Sequence, residues 1–430
     1  MKKLNFIIKC GLALLLLSFY SCESWLNVTP SDRLSEEMLF NDREGFVKAL
    51  NGVYIELNTN ELYGRNLTAG ALDVMGQYYS VASSSHAFYN YGGLVYTGND
   101  EKALFDNMWQ KCYAVIACCN TIIEKCDENK AGLSPVWRGS IKGEALALRA
   151  MLHFDMLRLF GPLTSELDKE SIPYQTNSDQ TVTPLLSGSE VVGLILDDLK
   201  NAVGLLKDTD PYFVEEEFSD TDLNYRRFRM NYFAAKGLMA RVQLWGGDKE
   251  KAAATAKEVI AEGQAEGAEF FPFVTNSEAT SSNPDRVFYS EVLFGTYHSS
   301  REKLHEDLFA PTLESTSILT LAGTARRDDL YDNENDYRYS VWSTYNKNGT
   351  SVLYHRKFEK QDNVTASRQY MIPLIRMSEM YLIAVECCKL DEASVYLNTF
   401  RNARNCNSLA LTEDNRINIL ANEYKKEMLG

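Results

Sequence analysis

Between residues 192 and 206 apolar side chains fall at Val192, Ile195, Leu199, Ala202 and Leu206, in steps of three or four, while Asp197, Asp198 and Lys200 take the other face. That is the period of an amphipathic α-helix, and it returns along most of the chain. Asn41 with Glu44 three residues later reads as a capping box, and Phe46, Leu50, Val53 and Leu57 then form one apolar face. The stretches 104–126 and 140–160 continue the pattern, the second so apolar that it must be covered on most sides. Further helices are predicted at about 228–246, 249–263, 372–388 and 391–404. Only a few residues separate neighbours within each pair, and short joints make antiparallel hairpins.

One hairpin carries a finer signature. Ala240, Gly247 and Ala252 stand where a tetratricopeptide repeat needs small residues so that two helices can pack closely, although Gln243 replaces the large residue expected three after Ala240. The predicted fold is therefore mostly α, a stack of degenerate tetratricopeptide-like hairpins forming a single domain over 41–430. It carries long irregular insertions at about 60–103 and 264–370, and a shorter one with Pro173 and Pro184 at 163–187. Loops this long inside a compact protein serve a function or form a subdomain of their own.

The first 21 residues stand apart. Lys2 and Lys3 precede an apolar run from Leu4 to Phe19, too short to span a bilayer, which reads as a secretory signal. It closes on Ser21-Cys22, the pattern of a lipoprotein signal whose processed Cys22 carries acyl chains, with residues 22–40 as lipidated N-terminus and linker; ordinary cleavage nearby is the other reading. Lys plus Arg number 44 against 59 Asp plus Glu, a net charge of -15 with no basic stripe, which argues against sequence-independent nucleic-acid binding. Cys112, Cys119 and Cys126 recur every seven residues, about 10 Å apart along a helix, beyond disulfide reach. No CxxC suggests zinc, and the cysteines read as small core residues.

At 141–162 the chain reads IKGEALALRAMLHFDMLRLFGP, and Ile172-Pro173-Tyr174 follows. With Gly143, Glu144, Ala145, Arg149, Ala150, Phe160 and Gly161 in place, this resembles the RagB/SusD family of outer-membrane nutrient-binding lipoproteins. Cys22-Glu23-Ser24-Trp25-Leu26-Asn27 with Pro30-Ser31 looks like that family's mature N-terminus, 231–252 like its hairpin, and 375–386 like its late Arg/Glu-bearing helix. The resemblance implies a lipid-anchored, mostly helical protein facing the cell exterior at the outer membrane. There it would lie over a SusC-like TonB-dependent transporter and deliver oligosaccharide or another nutrient. The family's closing Glu-Gly-containing segment is not present before Gly430, which implies a truncated C-terminus and an exposed surface where that tail would pack.

The chain has no GxSxG, P-loop, GxGxxG or HExxH, and its five histidines are scattered, so no catalytic residue is assigned and the protein reads as a non-enzyme. His153, within an apolar helix, reads as a satisfied core histidine. Sugar recognition uses flat aromatic faces together with planar amide, carboxylate or guanidinium groups. Two loop segments offer that mixture. One holds Tyr78, Tyr79, His86, Phe88, Tyr89, Asn90, Tyr91 and Tyr96; the other holds Asp336, Tyr337, Arg338, Tyr339, Trp342, Tyr345 and Asn346. The candidate ligand residues are Tyr89, Tyr91, Tyr337, Arg338, Trp342 and Tyr345, with Trp342 and Tyr89 foremost; packing of the loops onto the helical body is the competing role for each. Asp332, Asn333, Glu334, Asn335 and Asp336 are either a Ca²⁺ loop lacking the EF-hand Gly and distal Glu or a solvated turn. No other cofactor is implied. Glu144 with Arg149, and Arg376 with Glu379, read as ion pairs joining helices. The leading function is glycan capture and hand-over to a transporter. The alternatives are a module capturing peptide or another non-sugar nutrient and gating the transporter, and a helical-repeat scaffold.

Overall fold

The computed structural model describes residues 36–179 and 181–429. The signal segment, Cys22 and most of the linker lie outside the described residues. Nine long helices are labelled here: α1 (Arg43–Leu57), α2 (Asn99–Glu128), α3 (Pro135–Phe160), α4 (Gly188–Thr209), α5 (Tyr232–Trp245), α6 (Lys249–Gly263), α7 (Met377–Cys387), α8 (Leu390–Ala403) and α9 (Glu413–Met428). Each packs on the next from α1 to α8, and α9 returns to α7, which gives the stack of hairpins the spacing predicts.

Local chemistry sets the ends. Asp42, not Asn41, caps α1 by accepting the Gly45 N–H at 2.9 Å. Ser187 and Glu190 close a capping box on α4, and Pro135 follows the Ser134 cap of α3. The α3 helix is buried almost throughout, as its composition requires. Its Gly139 and Gly143, four residues apart, let α4 approach: a Cβ added at Gly143 would lie 2.7 Å from Leu206 Cγ. In the α5–α6 hairpin Ala240 and Ala252 are fully buried, and Gly247 turns with φ +88°, a region that favours glycine. Gln243 earns its place differently from the large residue of the repeat, since its Oε1 accepts the Thr255 hydroxyl at 2.8 Å between the two helices.

Strands appear where the sequence reading had helix or loop. β1 (Glu170–Pro173) and β2 (Leu185–Ser187) pair antiparallel across the Pro-bearing insertion. β3 (Val292–Tyr297) pairs antiparallel with β6 (Met371–Arg376), from Val292 opposite Arg376 to Tyr297 opposite Met371. The predicted helix 372–388 holds as helix over Met377–Cys387, but its start, up to Arg376, is strand, because a short apolar run with Pro373 suits a buried strand and carries no period to distinguish it from helix. β4 (Trp342–Lys347) and β5 (Thr350–His355) form a hairpin turned by Asn348-Gly349, both at positive φ.

Two large apolar cores result. The helices share one. The other is built by the insertions themselves: Tyr79, Phe88 and Tyr91 from the first meet Phe309, Leu319, Trp342, Leu353 and Phe358 from the second, with Met371 and Ile372 of β6. The seven described cysteines are all free; those of α2 at 112, 119 and 126 are buried, whereas Cys118 is exposed and Cys387 half-buried.

Candidate functional site

The two long insertions meet along the segment 312–320. Ser80 N–H donates to Thr320 O at 2.8 Å, Ala87 N–H to Thr316 O at 3.0 Å, and His86 Nε2 lies 3.2 Å from Ile318 O. From the other side, Thr320 Oγ1–H donates to Leu353 O at 2.7 Å and Lys347 Nζ to Leu313 O at 2.9 Å. The seam ties the first insertion to the β4–β5 hairpin, so each loop supports the other. A cleft of about 150 Å³ opens beside it between Gln77, Tyr78 and Ser80 on one wall and Leu321 and Arg326 on the other, with Lys425 of α9 at its edge.

Of the six sequence-derived candidates, this arrangement leaves two with rings in solvent. Tyr89 is 43% exposed and Tyr345 is 44% exposed. Asn90 and Asn346 neighbour them, the first donating to Glu101 Oε1 at 3.0 Å, the second accepting the Gly349 N–H at 2.7 Å. Trp342 is placed otherwise than the sequence reading had it. It is 5% exposed, its ring sits 4.6 Å from His355, and its indole N–H points at Tyr331 Oη, 3.4 Å away. Positions 342 and 345 have opposite parity, so they face opposite sides of β4; Trp342, at the start of the strand, is covered, whereas residues 344–346 are exposed. Tyr91 is buried between Phe88 and Phe105, 6.0 and 6.4 Å away, and burial, then the Glu101 carboxylate, pushes its phenol up from the ordinary value. Tyr337 is buried with its hydroxyl 3.2 Å from Asn276 Oδ1.

Arg338 belongs to a buried charge network that no motif advertised. It donates to Asp336 Oδ2 and Glu423 Oε2, each at 2.7 Å, and to Glu427 Oε2 at 3.3 Å. Arg404 bridges Glu291 at 2.6 Å and Glu427 at 2.8 Å, and Arg376 reaches Glu427 at 3.2 Å. Arg401 and Lys426 complete it on Asp332 and Glu423. Asp332 is held well below the usual carboxylate range, because the two cations outweigh its burial. The oxygen-rich loop is a turn with Asp332, Glu334 and Asn335 exposed, the solvated turn of the two expected readings, and its end carboxylates are not free to ligate, because Asp332 and Asp336 are committed to cations. No group of three or more His, Cys, Asp or Glu among the described residues is arranged to hold a metal.

The other ion pairs join helices with partners different from those expected. Glu144 accepts from Tyr54 Oη at 2.6 Å and pairs with Arg226 and Arg229. Arg149 forks onto both oxygens of Asp198 at 2.7 Å, and Glu379 receives Arg241 in the same way at 2.6 Å. His153 is a satisfied core residue: the Gln175 N–H donates to Nε2 at 3.0 Å, which leaves Nδ1–H to donate to Arg149 O at 2.9 Å. Burial lowers its pKa to about 3.

No helix of the described residues is long and apolar enough to cross a membrane. Residues 24–244 match the SusD-like family model described as starch-binding associating with outer membrane. SusD-like protein P2 of Formosa agariphila is 25% identical over 265 residues, 60% of this chain and 46% of that protein. The chain thus spans less than half the length of that relative. The fold matches a SusD-like carbohydrate binding protein from Bacteroides vulgatus at TM-score 0.69 and 21% identity, over 90% of this chain and 81% of that one. It also matches a laminarin binding SusD-like protein at TM-score 0.64 and 16% identity, over 90% and 89%. With the family model covering more than half of its length and the helical stack shared with these structures, the chain belongs to the SusD-like family.

Proposed function

We propose that the protein captures oligosaccharide at the outer membrane and delivers it to a SusC-like TonB-dependent transporter, tethered through an acylated Cys22 on the exterior face and performing no covalent chemistry. The observation that carries the reading is the convergence of the two insertions, which sets Tyr89 and Tyr345 in solvent on a frame cross-linked through 312–320. Exposed rings on a rigid support offer the C–H face of a pyranose a surface at little ordering cost. Asn90, Asn346 and Arg326 supply planar polar groups within the same loops. The family's description and the laminarin binding neighbour support the ligand class.

Calorimetry with neutral glycans taken from an array tests this. Tyr89→Ala and Tyr345→Ala should each weaken binding by about 1–3 kcal/mol, with unchanged helical content by circular dichroism. Absence of any bound glycan, or a double variant that keeps wild-type affinity, refutes the assignment.

A further inference from the structure

Where α1 meets the chain entering α5, away from the loop seam, two adjoining clefts of about 360 and 230 Å³ share Asn51, Tyr225 and Arg229. Ile55, Thr296 and Tyr297 line one end, Trp137 and Phe218 the other, and no lining residue is common to the cleft beside 312–320. Tyr225 is 39% exposed. Its ring stands 6.1 Å from that of Tyr297, which is backed by Phe228 at 5.2 Å and Tyr370 at 5.3 Å. The Trp137 ring packs against Phe218 at 4.5 Å under the Arg43 guanidinium at 4.8 Å.

Glu144, Arg226 and Arg229 are paired and Asn51 Oδ1 accepts from Arg229, but three polar atoms of this groove lack partners. Asn58 Nδ2–H donates to Tyr54 O at 2.8 Å, which fixes the amide and leaves Oδ1 without a hydrogen bond. Thr296 is 2% exposed, and its Oγ1 has none either; nor has Trp137 Nε1. Buried polar atoms are nearly always satisfied, and three that lack a partner border this one groove, where the hydroxyls of a polar ligand would satisfy them. The lining charges cancel, with Arg226 and Arg229 set against Glu144 and Asp222, and Arg226 is already paired with Glu144. An anionic ligand therefore finds no net field. A protein partner would bury on the order of 800 Å² per side, whereas Ile55 and Tyr225 are the groove's only well-exposed large apolar side chains. What remains is a polar, uncharged ligand with flat C–H faces.

We propose that this groove is a second carbohydrate-binding site, taking a short run of neutral sugar units across Tyr225 and Tyr297 with hydroxyls directed at Asn51, Asn58 and Thr296. It takes its ligand class from the function proposed above but stands at a different place on the protein. The test uses the full chain and the strongest neutral glycan found on an array of neutral and acidic glycans. Calorimetry should give two sites per chain, and hydroxyl-radical footprinting should show protection of Tyr225 and Tyr297 as well as Tyr89 and Tyr345. Tyr225→Ala with Tyr297→Ala should reduce the stoichiometry to one. Thr296→Val, which keeps the side-chain shape, should weaken the groove site by about threefold or more without loss of thermal stability; unchanged groove affinity in that variant counts against the proposal. One site, abolished by Tyr89→Ala with Tyr345→Ala and indifferent to the groove variants, overturns this proposal while the loop-face reading stands. One site abolished only by the groove variants supports the groove and removes the loop face. Binding of acidic glycans alone, of peptides at the groove, or of no glycan overturns it.

Discussion

Glu427→Gln should be among the most damaging single substitutions in the C-terminal helix. Five cations (Arg338, Arg376, Arg401, Arg404 and Lys426) face five carboxylates (Glu291, Asp332, Asp336, Glu423 and Glu427) in the buried network, so the variant leaves five against four. Arg338 keeps Asp336 and Glu423, and Arg404 keeps Glu291, but Arg376 has no other carboxylate partner among the described residues. Breaking one side of a buried pair is expected to remove about 3–5 kcal/mol, a large share of the roughly 5–15 kcal/mol that holds a typical domain together. Urea unfolding followed by circular dichroism should show that loss. Glu413→Gln, whose exposed pair with Arg416 is 3.3 Å long, should lose no more than about 0.5 kcal/mol. Adding Arg376→Met to Glu427→Gln should restore part of the stability, because the stranded cation goes with it. The charge also sets a pH dependence. Burial opposes ionisation of Glu427, but Arg404 and Arg376 outweigh it and hold the carboxyl below its ordinary value. Its stabilisation is therefore complete above the unfolded glutamate pKa and is lost as pH falls below it, so the wild type should lose more stability in acid than Glu427→Gln does. A Glu427→Gln loss under about 1 kcal/mol, or equal to that of Glu413→Gln, refutes the account.

Trp342→Ala should act on the fold before it acts on any ligand, lowering stability by about 3–5 kcal/mol in urea, since the ring is part of the second core. Gly143→Val should destabilise by about 1–3 kcal/mol or more through collision with Leu206, read as a fall in melting temperature. His153, with its pKa lowered to about 3 by burial, stays neutral in the folded chain while the unfolded chain takes up a proton below about pH 6.5. Its contribution is present above that pH and is lost as pH falls, by about 1.4 kcal/mol per unit. NMR titration should find no protonation of His153 above pH 4.

Much of the helical frame is readable because its cause is local. The three-four alternation of Val192 to Leu206 forms α4, and the small residues at 240 and 252 mark a tight hairpin wherever they occur. Errors fall where two local answers are equally good. Asn41 and Asp42 are both strong caps, and Met371–Arg376 suits strand as well as helix until β3 is present to pair with it. The β4–β5 hairpin has a legible signal in Asn348-Gly349, which stands between two β-rich runs. The candidate ligand residues were harder. Aromatic loops can be recognised from composition, but the choice between Trp342 inside and Tyr345 outside rests on His355, Tyr331 and the seam at 312–320. The groove at Tyr225 had no signal in sequence, because its walls come from residues 51–58, 137, 218–229 and 296–297.

By itself the sequence determined the family, the helical stack and the absence of known catalytic motifs, since each follows from spacing or residue type along a short stretch. Only the tertiary structure decided which carboxylate meets which guanidinium, with Glu144 going to Arg226 and Arg376 to Glu427, and which rings meet water. Those choices depend on desolvation by neighbours far away in the chain, and burial is a property of the packed whole.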